Sequence, residues 1–215
     1  GKNINGKYRI DTLIRETELG DFYRGTNIAT GVPVTVKILA PAMAIDVRYV
    51  DRFLAEARST ANVSHQHILN PVDLGTDKNG SPFAVYQGIE GESLDAIIER
   101  DGQLEESRAI GIAKQIASAL TAAHASGLIH GGLNPQKVIV NGVDGVDEVK
   151  IFDFGKRTHA ANSLEAVKYL APEQCSPSPT TDERTDVYAL GTLLYVMIAG
   201  EPPFSGITPA SIKKK

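Results

Sequence analysis

Short runs of alternating apolar and polar residues fill the N-terminal part of the chain and predict β-strands. The pair Thr30-Gly31 supplies a turn between two of these runs, and the segment 77–80 supplies another. The runs are Tyr8–Arg15, Phe22–Ile28, Val32–Leu39, Ile68–Gly75 and Ser81–Gln87. Together they predict a five-stranded antiparallel sheet.

Helical spacing of apolar residues marks two longer stretches. Asp46–Asn62 has one apolar face and begins with Asp46, a suitable N-cap residue. Glu105–Ser126 keeps apolar residues at helical spacing and stops at Gly127. Since Glu105–Ser126 is mostly small and apolar, we expect a central buried helix in a second, mainly helical part of the chain.

Composition and charge narrow the class of protein. The chain has 215 residues, 42% of them hydrophobic and 22% charged, which is ordinary for a globular protein. A net charge of −4 argues against a general binder of nucleic acid or anionic membrane. The lone Cys175 excludes an internal disulfide. With no signal peptide and no membrane-spanning apolar run in view, we expect a cytoplasmic location.

The stretch 129–140, IHGGLNPQKVIV, resembles the catalytic loop of protein kinases. That loop reads His-Arg-Asp-Leu-x-x-x-x-Asn, in which Asp is the catalytic base and Asn holds a metal ion. The matching positions are His130, Leu133 and Pro135. The changed positions are Gly131 for Arg, Gly132 for Asp, Asn134 for the Lys usual in Ser/Thr kinases, and Lys137 for Asn. Two glycines alone also fit an ordinary turn, but the spacing to the surrounding motifs favours the kinase interpretation.

Three further residues match the nucleotide site of this family. Lys37 closes Val-Thr-Val-Lys, which resembles the strand whose lysine pairs with the α/β-phosphates and with a helix glutamate. Glu56, within the predicted helix 46–62, is the expected ion-pair partner of Lys37. Asp153 opens Asp-Phe-Gly, whose aspartate normally binds Mg²⁺. The resemblance implies that Lys37, Glu56 and Asp153 are vestigial nucleotide-site residues.

The glycine-rich loop of the family is altered in this chain. Arg15, Thr17 and Gly20 stand at its three glycine positions, so only the third glycine remains. A Cβ at the first two positions hinders close approach of the backbone to phosphate. Glu16 and Glu18 each repel a triphosphate by about 1–4 kcal/mol at roughly 4 Å, unless both side chains point into water.

The second half of the chain contains two more motifs of the family. Ala171-Pro172-Glu173 matches the close of the activation segment, but Glu165-Ala166 replaces the usual Gly-Thr. Asp186 takes the position of the aspartate that anchors the catalytic-loop backbone. The resemblance extends from 8 to 204, and the last helices of the family are lacking in this chain.

The chain therefore resembles a bacterial Hanks-type, PknB-like Ser/Thr kinase domain, and within that class a pseudokinase. The combination of this framework with the degenerate loop resembles the cytosolic pseudokinase domain of the actinobacterial MviN-type lipid II flippase. The resemblance implies an α+β, bilobal kinase-like fold with a five-stranded antiparallel N-lobe carrying one helix and a mainly helical C-lobe. The expected lobes are residues 1–87 and 88–215.

This resemblance implies a chain that is not an enzyme. It would act as a phosphorylation-dependent regulatory scaffold in peptidoglycan synthesis, as the cytosolic domain of a membrane protein. Its expected partners are an active PknB-like kinase, an FHA-domain protein and an integral membrane flippase to which the domain is tethered, with no nucleic acid. No cofactor and no metal is expected, with ATP and Mg²⁺ binding weak or absent.

Two further hypotheses concern the altered loop itself. Lys137 is expected to point toward Asp153 and to neutralise its carboxylate in place of Mg²⁺. The alternative function is a weak or unorthodox ATP-dependent Ser/Thr kinase that uses displaced residues. The nearest downstream acids, Asp144, Asp147 and Glu148, lie in a turn before the next strand and offer no obvious substitute base.

Overall fold

The computed structural model describes residues 3–16, 20–88, 90–143, 145–155, 164–176, 178–204 and 206. The side chains of Arg52, Glu56, Val143, Leu164 and Glu165 lie outside this description. The chain forms two compact units, residues 1–64 with 69–90, and residues 65–68 with 91–215. The lobe limits 87 and 88 from the sequence remain a prediction about domain organisation.

The first unit is built on a six-stranded antiparallel sheet with the order β1-β2-β3-β4-β6-β5. Its strands are β1 Asn3–Ile4, β2 Tyr8–Arg15, β3 Gly20–Asn27, β4 Pro33–Leu39, β5 Pro71–Thr76 and β6 Pro82–Gln87. The sequence predicted five strands, and the additional β1 is only two residues long. A run of two residues is too short to show any period in the sequence, which is why it was missed.

Strand β4 is the centre of this sheet, between β3 and β6. Six of its seven residues are buried, and its Val34, Val36 and Ile38 join the apolar core on one face. Two helices follow β4, α1 Pro41–Ala44 and α2 Val47–Ala61. Helix α2 begins where the sequence predicted, because the Asp46 carboxylate accepts a hydrogen bond from Arg48 N at 3.0 Å.

Gly20 has a packing role that explains why a glycine stands there. Its φ is +145°, and an added Cβ would lie 2.3 Å from the backbone oxygen of Ile38 on β4. The close approach of β3 to β4 therefore requires the absence of a side chain at this position.

The second unit is mainly helical and includes a three-stranded sheet. Its helices are α3 Leu94–Asp101, α4 Glu106–Ala125, α5 Leu164–Val167 and α6 Glu183–Ala199. Its strands are β7 Glu92–Ser93, β8 Val138–Val143 and β9 Val146–Ile151, in the order β7-β8-β9. Helix α4 packs against α6 and β9, and seven of its residues are buried. The predicted central helix and the α+β class are thus confirmed.

The β8–β9 hairpin is fixed to α4 by hydrogen bonds. Arg108 Nε and Nη2 donate to the two carboxylate oxygens of Asp147 at 2.8 and 3.1 Å, which raises the pKa of Arg108. The Gln115 side chain donates to the Asp147 carbonyl and accepts from Val149 N. These bonds fix β9 and, with it, the start of the segment that follows at residue 152.

Within the residues that the structure describes, no helix combines the length and the apolar character that crossing a bilayer requires.

Candidate functional site

The loop at residues 129–132 is fastened to helix α6 by one buried carboxylate. Asp186 is fully buried, and its Oδ2 accepts from His130 N at 2.8 Å while its Oδ1 accepts from Gly131 N at 2.7 Å. His124 Nε2, at the end of α4, lies 2.8 Å from the same Oδ2. The anchoring role predicted for Asp186 is confirmed. The loop backbone is therefore held on α6 by Asp186, although four residues of the loop differ from the family pattern.

The two glycines of the loop have different backbones. Gly131 has φ +68°, and its carbonyl accepts from Gln174 Nε2 at 3.0 Å. Gly132 is not among the described glycines with positive φ, and it is half-buried. The side chain of Asn134 reaches back to the Gly132 carbonyl at 3.5 Å and caps the following 3₁₀ turn through Gln136 N at 3.0 Å. The changed positions thus form an ordered turn.

Gln174 is a site residue that the sequence reasoning missed. Its side chain is buried, donates to the Gly131 carbonyl and accepts from Ala171 N at 3.0 Å. It therefore ties the end of the activation segment to the catalytic-type loop. Its position directly after Ala-Pro-Glu could have marked it as a candidate, but the sequence does not show that it contacts Gly131. The preceding Glu173 accepts from Thr185 Oγ1 at 3.1 Å.

Lys137 and Asp153 lie together, as the sequence predicted. The Lys137 Nζ is 3.9 Å from Asp153 Oδ2, which is an ion-pair distance but too long for a direct hydrogen bond. Their side chains are only 10% and 13% exposed. The Lys137 carbonyl also accepts from Phe152 N at 3.2 Å, so the loop and the end of β9 are joined beside this pair. The orientation of Lys137 is confirmed, and its role remains a proposal.

Asp153 has a left-handed backbone, with φ +68°. Of the described residues other than glycine, only Asn5 shares a positive φ. This conformation is held by its neighbours, because Gly155 N donates to the His130 carbonyl at 3.1 Å. The buried ring of Phe154 also packs on the His130 ring, with centroids 4.6 Å apart. Such a conformation costs about 1–3 kcal/mol and persists only where the surroundings impose it.

Lys37 belongs to the first unit and lies on β4, opposite Phe22 of β3 and Ala84 of β6. It is 4% exposed, and its ammonium is 5.3 Å from the ring centroid of Phe22 and 5.5 Å from that of Phe53. Both distances are within the range of cation–π attraction. The ion pair between Lys37 and Glu56 stays a prediction, because the Glu56 side chain lies outside the described residues.

The rest of the altered glycine-rich loop is only partly described. Thr17 and Glu18 lie outside the described residues, while Arg15 ends β2 and Glu16 is exposed. Ala166 lies in α5, and the side chain of its neighbour Glu165 is outside the description.

Comparison with known proteins places these features in a family. The sequence model of the family described as "Protein kinase domain" matches residues 8–215. Serine/threonine-protein kinase pkn3 of Myxococcus xanthus is 33% identical over 217 residues, which cover 95% of this chain and 40% of that protein. PknA of Mycobacterium tuberculosis is 32% identical over 221 residues, covering 96% and 50%. PrkC of Bacillus subtilis is 31% identical over 223 residues, covering 100% and 34%. The chain thus spans a third to a half of these relatives.

The fold agrees with a solved structure of the same kind. The crystal structure of the Mycobacterium tuberculosis PknI kinase domain is similar, with a TM-score of 0.77 and 27% identity. The similarity covers 96% of this chain and 79% of the PknI chain. The predicted kinase-like fold is confirmed.

Two predictions from the sequence are wrong: that the chain is not an enzyme, and that it uses no cofactor. The family model and relatives named Ser/Thr protein kinases match it over nearly its whole length, and such kinases normally use ATP and Mg²⁺. The error lies in equating changed loop positions with lost catalysis, because phosphoryl transfer depends mainly on positioning and electrostatic stabilisation. By its family model and its relatives, the chain belongs to the protein kinase domain family and is related to the bacterial Hanks-type Ser/Thr kinases.

Proposed function

We propose that the chain is a slow ATP-dependent Ser/Thr phosphotransferase. The observation that supports this most is the left-handed Asp153, whose backbone is imposed by the packing of Phe154 and by the Gly155–His130 hydrogen bond. Strained residues of this kind cluster at functional sites, where the strain pre-organises a group for its task. A chain with no use for the Asp153 carboxylate would avoid this cost with a glycine at the position.

Lys37 supports a nucleotide as the ligand. Its ammonium is almost completely buried beside two aromatic rings, and burying a charge costs free energy. Its position matches the family's nucleotide-binding lysine, which supports an anionic ligand. In the family, the lysine at this position pairs with the α/β-phosphates of ATP, which supports a nucleotide as the ligand here.

The residues present fit a Mg²⁺ ion that is bound mainly through the nucleotide. Within the described part of the chain, no group of three or more His, Cys, Asp or Glu residues surrounds a common point. Mg²⁺ in kinase-type sites is commonly held by one or two carboxylates together with substrate phosphates, and Asp153 supplies one carboxylate. Such an ion, when bound, neutralises charge on the transferring phosphoryl group.

The absence of a general base at Gly132 predicts a slow rate of phosphotransfer. With no carboxylate at the base position, the proton of the attacking hydroxyl passes to water as the oxygen bonds to the γ-phosphorus and ADP leaves. A positioned base is worth about 10²–10⁴ in rate, so its loss slows transfer and leaves the positioning contributions in place. Asp147 is bound to Arg108 and Glu148 to Lys150, so neither is placed as a substitute base, and Asp144 lies outside the described residues.

Lys37→Met is expected to lower phosphotransfer by at least about 10²-fold, because removal of one electrostatic stabiliser costs about 10²–10³ in rate. The measurement is single-turnover transfer of ³²P from [γ-³²P]ATP to dephosphorylated casein, followed by phosphoamino-acid analysis. Lys78→Met, at an exposed lysine of the same unit, is the matched control and is expected to keep the wild-type rate. Equal labelling by wild type and Lys37→Met, or no labelling by wild type, would contradict the proposal.

We also propose a regulatory setting, for which the resemblance of the altered loop is the support. In it, an active PknB-like kinase phosphorylates the protein, the phosphorylated form recruits an FHA-domain protein, and the assembly controls peptidoglycan synthesis beside a membrane flippase. The expected result is capture of the phosphorylated chain by an immobilised FHA domain. Capture that survives phosphatase treatment unchanged would reject this part.

A further inference from the structure

We propose that the Lys137 ammonium takes the place of one of the two Mg²⁺ ions with which protein kinases bind ATP. The chain would then bind nucleotide together with a single divalent ion. This inference rests on the proposed function, since it concerns the same nucleotide. It follows from the position of Lys137, from its burial and from the chemistry of its side chain.

The backbone of Lys137 is held from both sides. Lys137 N donates to the Asn134 carbonyl at 3.0 Å, and Phe152 N donates to the Lys137 carbonyl at 3.2 Å. The first bond belongs to the 3₁₀ turn that Asn134 caps, and the second joins that turn to the residue before Asp153. The base of the lysine side chain is therefore fixed beside Asp153.

The side chain ends at the carboxylate that would hold the metal. Both side chains of the pair are about nine-tenths buried, and Lys137 Nζ lies 3.9 Å from Asp153 Oδ2. At this distance the ammonium is beside the carboxylate without a direct hydrogen bond to that oxygen. An ammonium group thus stands beside the carboxylate, where the family's loop has a neutral Asn.

Lysine cannot perform the task of that Asn. An amide side chain offers a carbonyl oxygen as a metal ligand, whereas an ammonium has three donors and no acceptor. A second divalent ion at the position of the replaced Asn would meet the ammonium itself and be repelled by it. The same ammonium is a compact point charge suited to donate to phosphate oxygens. The Lys137 ammonium consequently takes the place of the second metal ion.

The test counts divalent ions directly, with Mn²⁺ as the probe. Equilibrium dialysis of the chain against Mn²⁺ and [α-³²P]ATP gives the ratio of bound Mn²⁺ to bound nucleotide. We expect a ratio of one for wild type and two for Lys137→Asn, which restores an oxygen ligand and removes the charge. Lys137→Met is expected to keep a ratio of one and to bind ATP at least tenfold more weakly. Lys114→Asn, at an exposed lysine of α4, is the control and should behave as wild type.

Each outcome has a distinct meaning. A ratio of two in wild type, or of one in Lys137→Asn with nucleotide still bound, overturns the role of Lys137 and leaves the proposed function standing. A wild-type chain that binds no [α-³²P]ATP overturns the proposed function, and this inference falls with it. Circular dichroism of each variant shows whether it is folded before the count is made.

Discussion

Gly132→Asp is expected to raise the rate of ATP-dependent phosphotransfer by about 10²–10⁴-fold, the contribution of a positioned general base. The backbone allows the change, because Gly132 is not among the described glycines with positive φ, while the left-handed Gly131 next to it is left untouched. Gly132 is half-buried, and the two residues before it, His130 and Gly131, are anchored on Asp186. Single-turnover transfer from [γ-³²P]ATP measures the effect.

Gly132→Asn separates general-base catalysis from a mere change of loop shape. Asparagine has nearly the size of aspartate but does not accept the hydroxyl proton, so this variant is expected to transfer phosphate at the wild-type rate. If both variants accelerate transfer equally, the added side chain acts through structure. If Gly132→Asp is folded and no faster than wild type, the loop does not hold a substrate hydroxyl near this position.

Asp186→Ala is expected to lower the free energy of unfolding by about 3–5 kcal/mol. The substitution leaves two buried backbone N–H groups, those of His130 and Gly131, without their acceptor, and each such loss costs about 1–3 kcal/mol. The contact with His124 is lost as well. For a chain of this size the melting temperature should fall by roughly 10 °C, measured by scanning calorimetry.

Asp182→Ala on the same helix is the matched control. Asp182 is exposed and caps α6 through Arg184 N at 2.8 Å, so its loss is expected to cost only about 1 kcal/mol. The two variants remove the same chemical group, one at the N-cap of α6 and one four residues later in its first turn. Equal destabilisation by both would show that Asp186 does not hold the loop as described.

Several features of the fold and site followed from the sequence because each depends on local spacing. The N-cap Asp46 and the central helix α4 belong to local patterns of capping and apolar spacing, and the anchor Asp186 belongs to a motif of the family. The proximity of Lys137 and Asp153 also followed, because both match metal-binding positions of the family's motifs.

Other features depend on tertiary contacts that no pattern contains. Strand β1 exists only because it pairs with β2, and Gln174 finds Gly131 only once both segments are folded. The wrong prediction about catalysis has a related cause. A sequence shows that Gly132 lacks a carboxylate, but it does not show how much of the barrier is lowered by the groups that remain.

The central claim is that the chain binds ATP together with Mg²⁺. The most direct test is calorimetric titration of the chain with ATP, with and without Mg²⁺, together with the ligand-induced change in melting temperature. We predict Mg²⁺-dependent binding with a Kd in roughly the micromolar range, the scale of enzyme substrates. Absence of heat, with no rise in melting temperature at millimolar MgATP, would contradict the claim.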